Sequence, residues 1–395
     1  MHLRRKFGED ARVPSVLSAT PRIAIAFQGD PTDPRAWSGV LAGISAGLSA
    51  AGAEPVPIDA RFPGAEKLAN ALNMSWADAA ANGTIAAVSG FKANRSIGRA
   101  GRIDGVVAIG SGFTPAADPP FVTFEDMTVA LALRQTDPAY QSLSKAGAER
   151  WRARQKRIYE RGRACCMASA WAARSAHDEY GIPMDKIHVV GFGRNREVEE
   201  VIEREWSEPR FLFVGFDWER KRGAAVVKAF TAVRQLHPSA KLDLVGGHPP
   251  VAVDGVTGHG FLSLDSETGR RKYGELLDRA TCFLMPSTFE PFGIAYLDAG
   301  AAGVPSIGST VGGAPDAVGP GGVVVDPGDD DALLDAMLEL AVPETAQRLG
   351  GFAREHSAQF TWRAVAERLL RALQPPGVDL EGLCEFLDAP SPRVA

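Results

Sequence analysis

Apolar residues fall along this chain in short runs of four to seven, each closed by glycine or a polar turn and followed by a longer stretch with helical spacing. Runs without strict alternation read as strands covered on both faces, as in parallel sheets. The first, Arg22 to Phe27, leads into a Gly/Pro-containing loop at 28–37 and a helix starting near Ser38. Gly52 breaks that helix, and PVPI at 55–58 makes a second strand, completing one βαβ unit. Further strands are expected at 85–90 (IAAVSG), 105–110, 121–125, 164–169 and 186–193, with a helix from Trp171 to Tyr180 stopped by Gly181 and Pro183. After an acidic stretch at 197–209 a second series begins, with strands at 210–216, 241–247, 256–262, 281–287, 304–309 and 321–326. A helix at 360–373 follows, and beyond Gln374 the Pro/Gly/Asp-rich tail is expected to be loose or lightly docked.

Two strand-helix series in 395 residues predict an α/β protein of two Rossmann-like domains facing each other across a cleft. The boundaries are 1–195, 196–359, a helix at 360–375 and a tail at 376–395. A composition of 45% apolar and 23% charged residues fits a globular chain. The formal charge of −5 speaks against a nucleic-acid partner. Cys165, Cys166, Cys282 and Cys384 have neither disulfide-framework nor zinc spacing, so they read as free thiols in a reducing, cytoplasmic compartment. The basic start, residues 1–6, lacks the apolar stretch of a signal peptide, and no run is long enough to span a membrane.

The strongest chemical signal is Ser287-Thr288-Phe289-Glu290-Pro291-Phe292-Gly293-Ile294, between a strand and a helix. Pro291 is tolerated in a first helical turn, and the free amides of Phe292, Gly293 and Ile294 would point at an anion. Glu290 stands at the strand lip, and Asp298 lies two turns along the helix. The other readings are a carboxylate favoured by the helix dipole for Glu290 and a solvated helix acid for Asp298. A second signal places Arg220, Lys221 and Arg222 against another helix start, an arrangement the macrodipole disfavours unless an anion compensates. A solvated cluster is the alternative. Third, Trp37-Ser38-Gly39 follows the first strand, where Gly39 permits close approach of a ligand backbone or phosphate, the other reading being a glycine needed only for the turn. The absence of GxGxxG and of GxxxxGK[ST] disfavours NAD(P) and P-loop nucleotides. The basic helix between Lys145 and Arg163 carries Trp151, Ile158 and Tyr159 at helical spacing. It reads first as a docked surface helix, with contact to an acidic acceptor or an anionic membrane surface less favoured. His248 and His259 lack metal-ligand partners and read as loop residues, one of them within reach of a donor base.

Together these stretches resemble the retaining glycosyltransferases of family 4 (glycosyl transferases group 1), whose fold is called GT-B. The resemblance covers residues 20 to 373, and its marker is Pro286-Ser287, Glu290 with Asp298, Gly303-Val304-Pro305 and Gly312-Gly313. It implies an N-terminal acceptor-side domain, a C-terminal nucleotide-sugar-binding domain and a last helix crossing back to the first domain. Glu290 then faces the donor sugar, Lys221 takes the departing diphosphate, with Arg220 expected to supply the charge that Phe216 lacks, and Asp298 takes the ribose. Gly39 and the amides of Phe292, Gly293 and Ile294 lie at the phosphates, and Gly247 lies on the donor side. The chain departs from the family at Asp298, a methylene shorter than glutamate, at Phe216, where arginine is usual, and at Arg222, which separates Lys221 from Gly223. The usual N-terminal histidine is missing, and Glu125 or Asp126, with Trp37, becomes the expected contact to sugar or acceptor. The implied co-substrate is a nucleotide-diphosphate sugar with no metal or other cofactor, and the acceptor is a small molecule, glycan or lipid-linked hydroxyl. A catalytically weak nucleotide-sugar-binding scaffold of this fold and a sugar-nucleotide epimerase are the other readings. The sequence sets no oligomeric state.

Overall fold

The computed structural model describes residues 20–33, 35–61, 64, 74–135, 138–196, 203–375 and 391–395. The basic start, Cys384 and most of the tail lie outside the described residues. The first domain is a six-stranded parallel sheet in the order β2-β1-β3-β4-β5-β6. Its strands are β1 (Arg22–Phe27), β2 (Glu54–Asp59), β3 (Gly105–Ile109), β4 (Phe121–Glu125), β5 (Ala164–Met167) and β6 (Ile187–Val189). The second sheet runs β13-β12-β11-β10-β7-β8-β9. It comprises β7 (Arg210–Gly215), β8 (Lys241–Gly246), β9 (Val256–Gly258), β10 (Cys282–Leu284), β11 (Ser306–Ser309), β12 (Gly322–Val325) and β13 (Arg393–Val394). Every residue of β3, β4 and β5 is buried, because helices cover both faces of the sheet.

The helices that position the site are α1 (Val40–Ala50), α2 (Trp76–Ala81), α3 (Gly83–Arg99), α4 (Lys145–Arg161), α5 (Ala170–Tyr180), α6 (Gly223–Leu236), α7 (Glu267–Arg279) and α8 (Ile294–Ala301). Then come α9 (Ala314–Val318), α10 (Asp330–Glu339), α11 (Pro343–Ser357) and α12 (Trp362–Ala372). Among the described residues no helix is long and apolar enough to cross a membrane.

One expectation is corrected. IAAVSG is not a strand but part of α3: the Asn82 side chain accepts from the amides of Thr84 and Ile85, and the buried positions recur at 85, 86, 89, 90, 93 and 97. The run is long enough for either element, and the cap decides. In the tail, expected to be loose or lightly docked, Arg393–Val394 docks as a parallel edge strand beside Val323 and Val324, while residues 376–390 lie outside the described residues.

In each sheet the strand order reverses beside the first strand of its series, at β1/β3 and at β7/β10. Loops leaving the carboxyl ends of strands at such switch points form a crevice. The two crevices face one another because α12 leaves the second domain and packs on α1. Gly43 and Gly47 make room for it: a Cβ on Gly43 would strike the Trp362 ring at 2.1 Å, and one on Gly47 the Trp362 carbonyl oxygen at 2.1 Å. Val365, Ala366 and Leu369 are fully buried on that face. The Arg368 guanidinium donates to the Val190 carbonyl at 3.0 Å, and Arg163 donates to the Leu373 carbonyl at 3.1 Å.

This contact sets two effects against each other in Gly47→Ala. Alanine raises helix propensity by about 1 kcal/mol, and overpacking against backbone costs about 1–3 kcal/mol. The close approach predicts that the clash wins. The variant should melt below the wild type in calorimetry; a higher melting temperature would show that α12 does not seat on α1.

Candidate active site

The loop after β7 is built to bring two of its cations together with a carboxylate. The Asp217 side chain accepts from the Arg220 amide at 3.0 Å, and the Arg220 carbonyl accepts from the Thr288 amide at 2.8 Å, tying this loop to the one after β10. Lys221 Nζ donates to Glu290 Oε2 and lies 2.9 Å from the Met285 sulfur. Arg220 donates to the Phe289 carbonyl at 2.6 Å and reaches Glu290 Oε2 at 3.4 Å. Lys221 and Glu290 are only 8% and 7% exposed. Burial holds the Lys221 ammonium below its usual value, with Glu290 opposing and Arg220 reinforcing that shift. Arg222, with φ +58, turns away from these groups and pairs with Asp330 of α10. The cluster of three cations read from the sequence is therefore two at the site and one outside it.

Glu290 is held from behind by the Gly312-Gly313 pair. The Gly313 amide donates to the Glu290 carbonyl at 3.0 Å, and a Cβ on Gly312, whose φ is +79, would lie 2.0 Å from that oxygen. Pro291 lies before the helix rather than in its first turn, because α8 starts at Ile294 with Gly293 as its cap at φ +93. The amides of Phe292, Gly293 and Ile294 have no protein acceptor among the described residues. An N-terminus with free donors is a seat for an anion.

Across the cleft, Trp37 and Ser38 adopt left-handed backbone at φ +48 and +56, and Gly39 caps α1 at φ +86. Left-handed geometry costs about 1–2 kcal/mol for a residue with a side chain, so packing must hold it. The Trp37 ring meets Phe124 at 5.8 Å and Phe192 at 5.3 Å, and Phe192 meets Phe292 of the second domain at 5.3 Å. The Trp37 side chain also donates to Asp126, whose carboxyl is pushed up to about 6 by burial, with the Glu290 charge adding to the rise. The space between the domains is a cleft of about 950 Å³ lined by Trp37, Asp126, Arg220, Lys221, Glu290, Gly293 and Ile294, among others. Among the described residues no group of three or more His, Cys, Asp or Glu side chains is placed to hold a metal ion.

Residues 208–342 match the sequence profile of the family described as Glycosyl transferases group 1. Over 168 residues the chain is 33% identical to a GDP-mannose-dependent monoacylated alpha-(1-6)-phosphatidylinositol monomannoside mannosyltransferase from Corynebacterium glutamicum, covering 39% of this chain and 44% of the relative. Over 88 residues it is 43% identical to a D-inositol 3-phosphate glycosyltransferase from Corynebacterium diphtheriae, covering 22% of this chain and 21% of the relative. The chain thus spans less than half the length of these sequence relatives. A solved sucrose-phosphate synthase from Thermosynechococcus elongatus superposes with a TM-score of 0.60 at 20% identity, covering 89% of this chain and 98% of that one. The family match lies within the second domain. The two domains together make the GT-B fold.

Within this GT-B cleft the remaining residues read from the sequence take unequal places. Asp298 lines the cleft, yet its Oδ1 accepts from the amides of Asn195 (2.8 Å) and Arg196 (3.0 Å) in the connection between the domains. Burial pushes its carboxyl up to about 6, against those two amides. Gly247 does not line the cleft; its amide is spent on the Gly215 carbonyl at 3.0 Å. His248 and His259 are also outside it. The His248 ring accepts from the Gly260 amide at 3.1 Å, and His259 meets Asp243 at 2.6 Å. Glu125 is turned into the first domain, where Gln155 donates to it at 2.9 Å and Tyr159 donates as well. Asp126, one residue on, is the carboxylate that faces the cleft. Phe192, Asn195 and Tyr273 line the cleft without having been singled out from sequence; the Phe192-Gly193 end after β6 was the available signal.

Glu125 carries a prediction. Burial lifts its carboxyl from 4.5 to about 7. The native state then holds this proton more tightly than the unfolded chain, so the associated stability is present at low pH and lost as pH rises through that window. Glu125→Gln keeps an acceptor for both partners and removes the titration. In urea melts the stability of the variant relative to wild type should rise between pH 4.5 and about 7. A flat difference would show that Glu125 is not held in this environment.

Proposed function

We propose that this chain is a retaining glycosyltransferase that moves a sugar from a nucleotide-diphosphate donor to an acceptor hydroxyl. The observation that carries the reading is the buried Lys221–Glu290 pair, with Arg220 beside it and free amides of α8 in the same cleft. Those groups form a diphosphate seat: the donor's phosphates draw Lys221 and Arg220, and the α8 N-terminus adds its amides and dipole. As the bond from the anomeric carbon to the phosphate oxygen breaks, negative charge grows on that oxygen, and positioned cations lower this barrier more than they aid ground-state binding. The acceptor oxygen bonds to the anomeric carbon from the same face, and its proton passes to the departing phosphate oxygen. Glu290 orients the sugar and stabilises its developing positive charge. Asp126, held by Trp37, contacts sugar or acceptor from the opposite wall. Asp298 acts at the ribose through its second oxygen while its first fastens the interdomain connection.

The donor class and the acceptor class, a small-molecule, glycan or lipid-linked hydroxyl, are supported by the names of the relatives, which act on a phosphatidylinositol mannoside and an inositol phosphate. Buried free thiols at Cys165, Cys166 and Cys282 fit a reducing cytoplasmic setting.

Two measurements test this. In a thermal-shift screen of UDP, GDP, ADP and TDP, one base should raise the melting temperature well above the others, since a ligand that binds only the folded state stabilises it. Glu290→Gln and Lys221→Ala, checked for folding by circular dichroism, should each lower transfer by about 10²–10³-fold, the range seen on removing one preorganised charge-stabilising group. Folded variants with unchanged turnover would sink the assignment. A nucleotide-induced shift with neither transfer nor donor hydrolysis in the wild type would instead favour the scaffold reading.

A further inference from the structure

A second groove lies in the first domain and shares no lining residue with the interdomain cleft. It has a volume of about 530 Å³ between α3 and α4, and its lining carries Arg150, Arg154, Arg157 and Arg161 and no carboxylate. The four arginines are spaced i, i+4, i+7 and i+11 on α4, which puts them on one narrow stripe of a single helix. Neighbouring like charges at this spacing destabilise a helix.

A solvated helix face ordinarily relieves such repulsion with interleaved acids. Here Glu160 pairs with Lys156 at 3.3 Å instead, and Arg150, Arg157 and Arg161 are exposed without an acidic partner among the described residues. Arg154 is fixed at the bottom of the stripe, 6% exposed, donating to the Ser111 carbonyl at 2.8 Å and to the Ala80 carbonyl. Burial above all, with a contribution from the charge of Arg157, lowers its pKa to about 10. The facing wall is cut back to Gly83, Ala86, Ala87 and Gly90, with a Phe91 that is 69% exposed at the rim. A Cβ at Gly83 would meet nothing within 4 Å, so the groove is open at that end.

We propose that this groove is a binding site for a ligand carrying two or more phosphate groups. Guanidinium forks match phosphate oxygens bidentately. Eleven residues of helix spread the stripe over roughly 16 Å, longer than one phosphate and suited to several along a chain or headgroup. The ligand removes the repulsion that the sequence leaves uncompensated. The site is independent of the transfer reading, since none of its residues touches the cleft. Its source is either a soluble polyphosphorylated molecule or a phosphate-bearing lipid headgroup.

The test titrates the full chain with inorganic tripolyphosphate by calorimetry and, separately, pellets it with vesicles of phosphatidylcholine containing cardiolipin, whose headgroup carries two phosphates, against phosphatidylcholine alone. Four proteins are compared: wild type, Arg157→Ala/Arg161→Ala, Lys221→Ala and the charge-matched control Arg99→Ala/Arg363→Ala. Tripolyphosphate should bind wild type, the control and the Lys221→Ala protein, and bind Arg157→Ala/Arg161→Ala at least tenfold more weakly in that component. The groove variant should keep its thermal shift with the nucleoside diphosphate that the wild type prefers. Vesicle binding that falls in parallel assigns the lipid source, and vesicle binding absent from the wild type assigns a soluble one. No tripolyphosphate binding by the wild type, equal binding by the groove variant, or an equal loss in the control would overturn the proposal.

Discussion

Lys221 and Glu290 stand almost out of water at the carboxyl end of the second sheet, each the other's principal countercharge. A buried ion pair gains little net stability, because desolvation offsets most of the attraction. The surrounding backbone nevertheless holds both groups firmly: the Thr288 amide ties the two loops together, and Gly312-Gly313 supports the glutamate carbonyl. On the proposed reading, a lysine held there changes partners when a phosphate enters the cleft that the free amides of α8 also line. Removing either charge would strand the other in a poorly solvating place.

The rest of the molecule sets the distance and direction of approach to that pair. Strand order reverses at β1/β3 and β7/β10, so the loops carrying Trp37, Lys221 and Glu290 open into crevices by topology alone. Docking of α12 on α1 makes the two crevices face one another, through glycines that admit the Trp362 backbone and ring. The aromatic series Phe124, Trp37, Phe192 and Phe292 crosses from one domain to the other beneath the cleft and holds Trp37 in its left-handed backbone. Asp298 joins the same scheme by accepting from the interdomain amides at 195 and 196.

Much of this was legible in the sequence where one local rule sufficed. The strand-loop-helix segments around Lys221 and Glu290 announce themselves through charge at a helix start, and the unbroken apolar runs announce a two-sided sheet. Reading failed where a choice depended on a neighbour far along the chain. IAAVSG fits either a strand or a helix by length, and only its Asn82 cap points to the helix found. Glu125 and Asp126 are adjacent acids, and a one-residue change of register decides which faces the cleft. Tyr159 and Gln155, more than twenty-five residues away, show that Glu125 points inward. His259 read as a loop residue with a donor base in reach, and Asp243, sixteen residues away in sequence, takes its ring nitrogen instead. Arg222 looked like a third phosphate ligand until Asp330 drew it away.

The most direct test is a crystal structure of the full chain with the preferred nucleoside diphosphate bound. The account requires the terminal phosphate to lie within hydrogen-bonding distance of Lys221 Nζ and of the amides of Gly293 and Ile294, with Lys221 drawn from Glu290 towards it. A diphosphate seated elsewhere, with Lys221 still paired to Glu290, would contradict it.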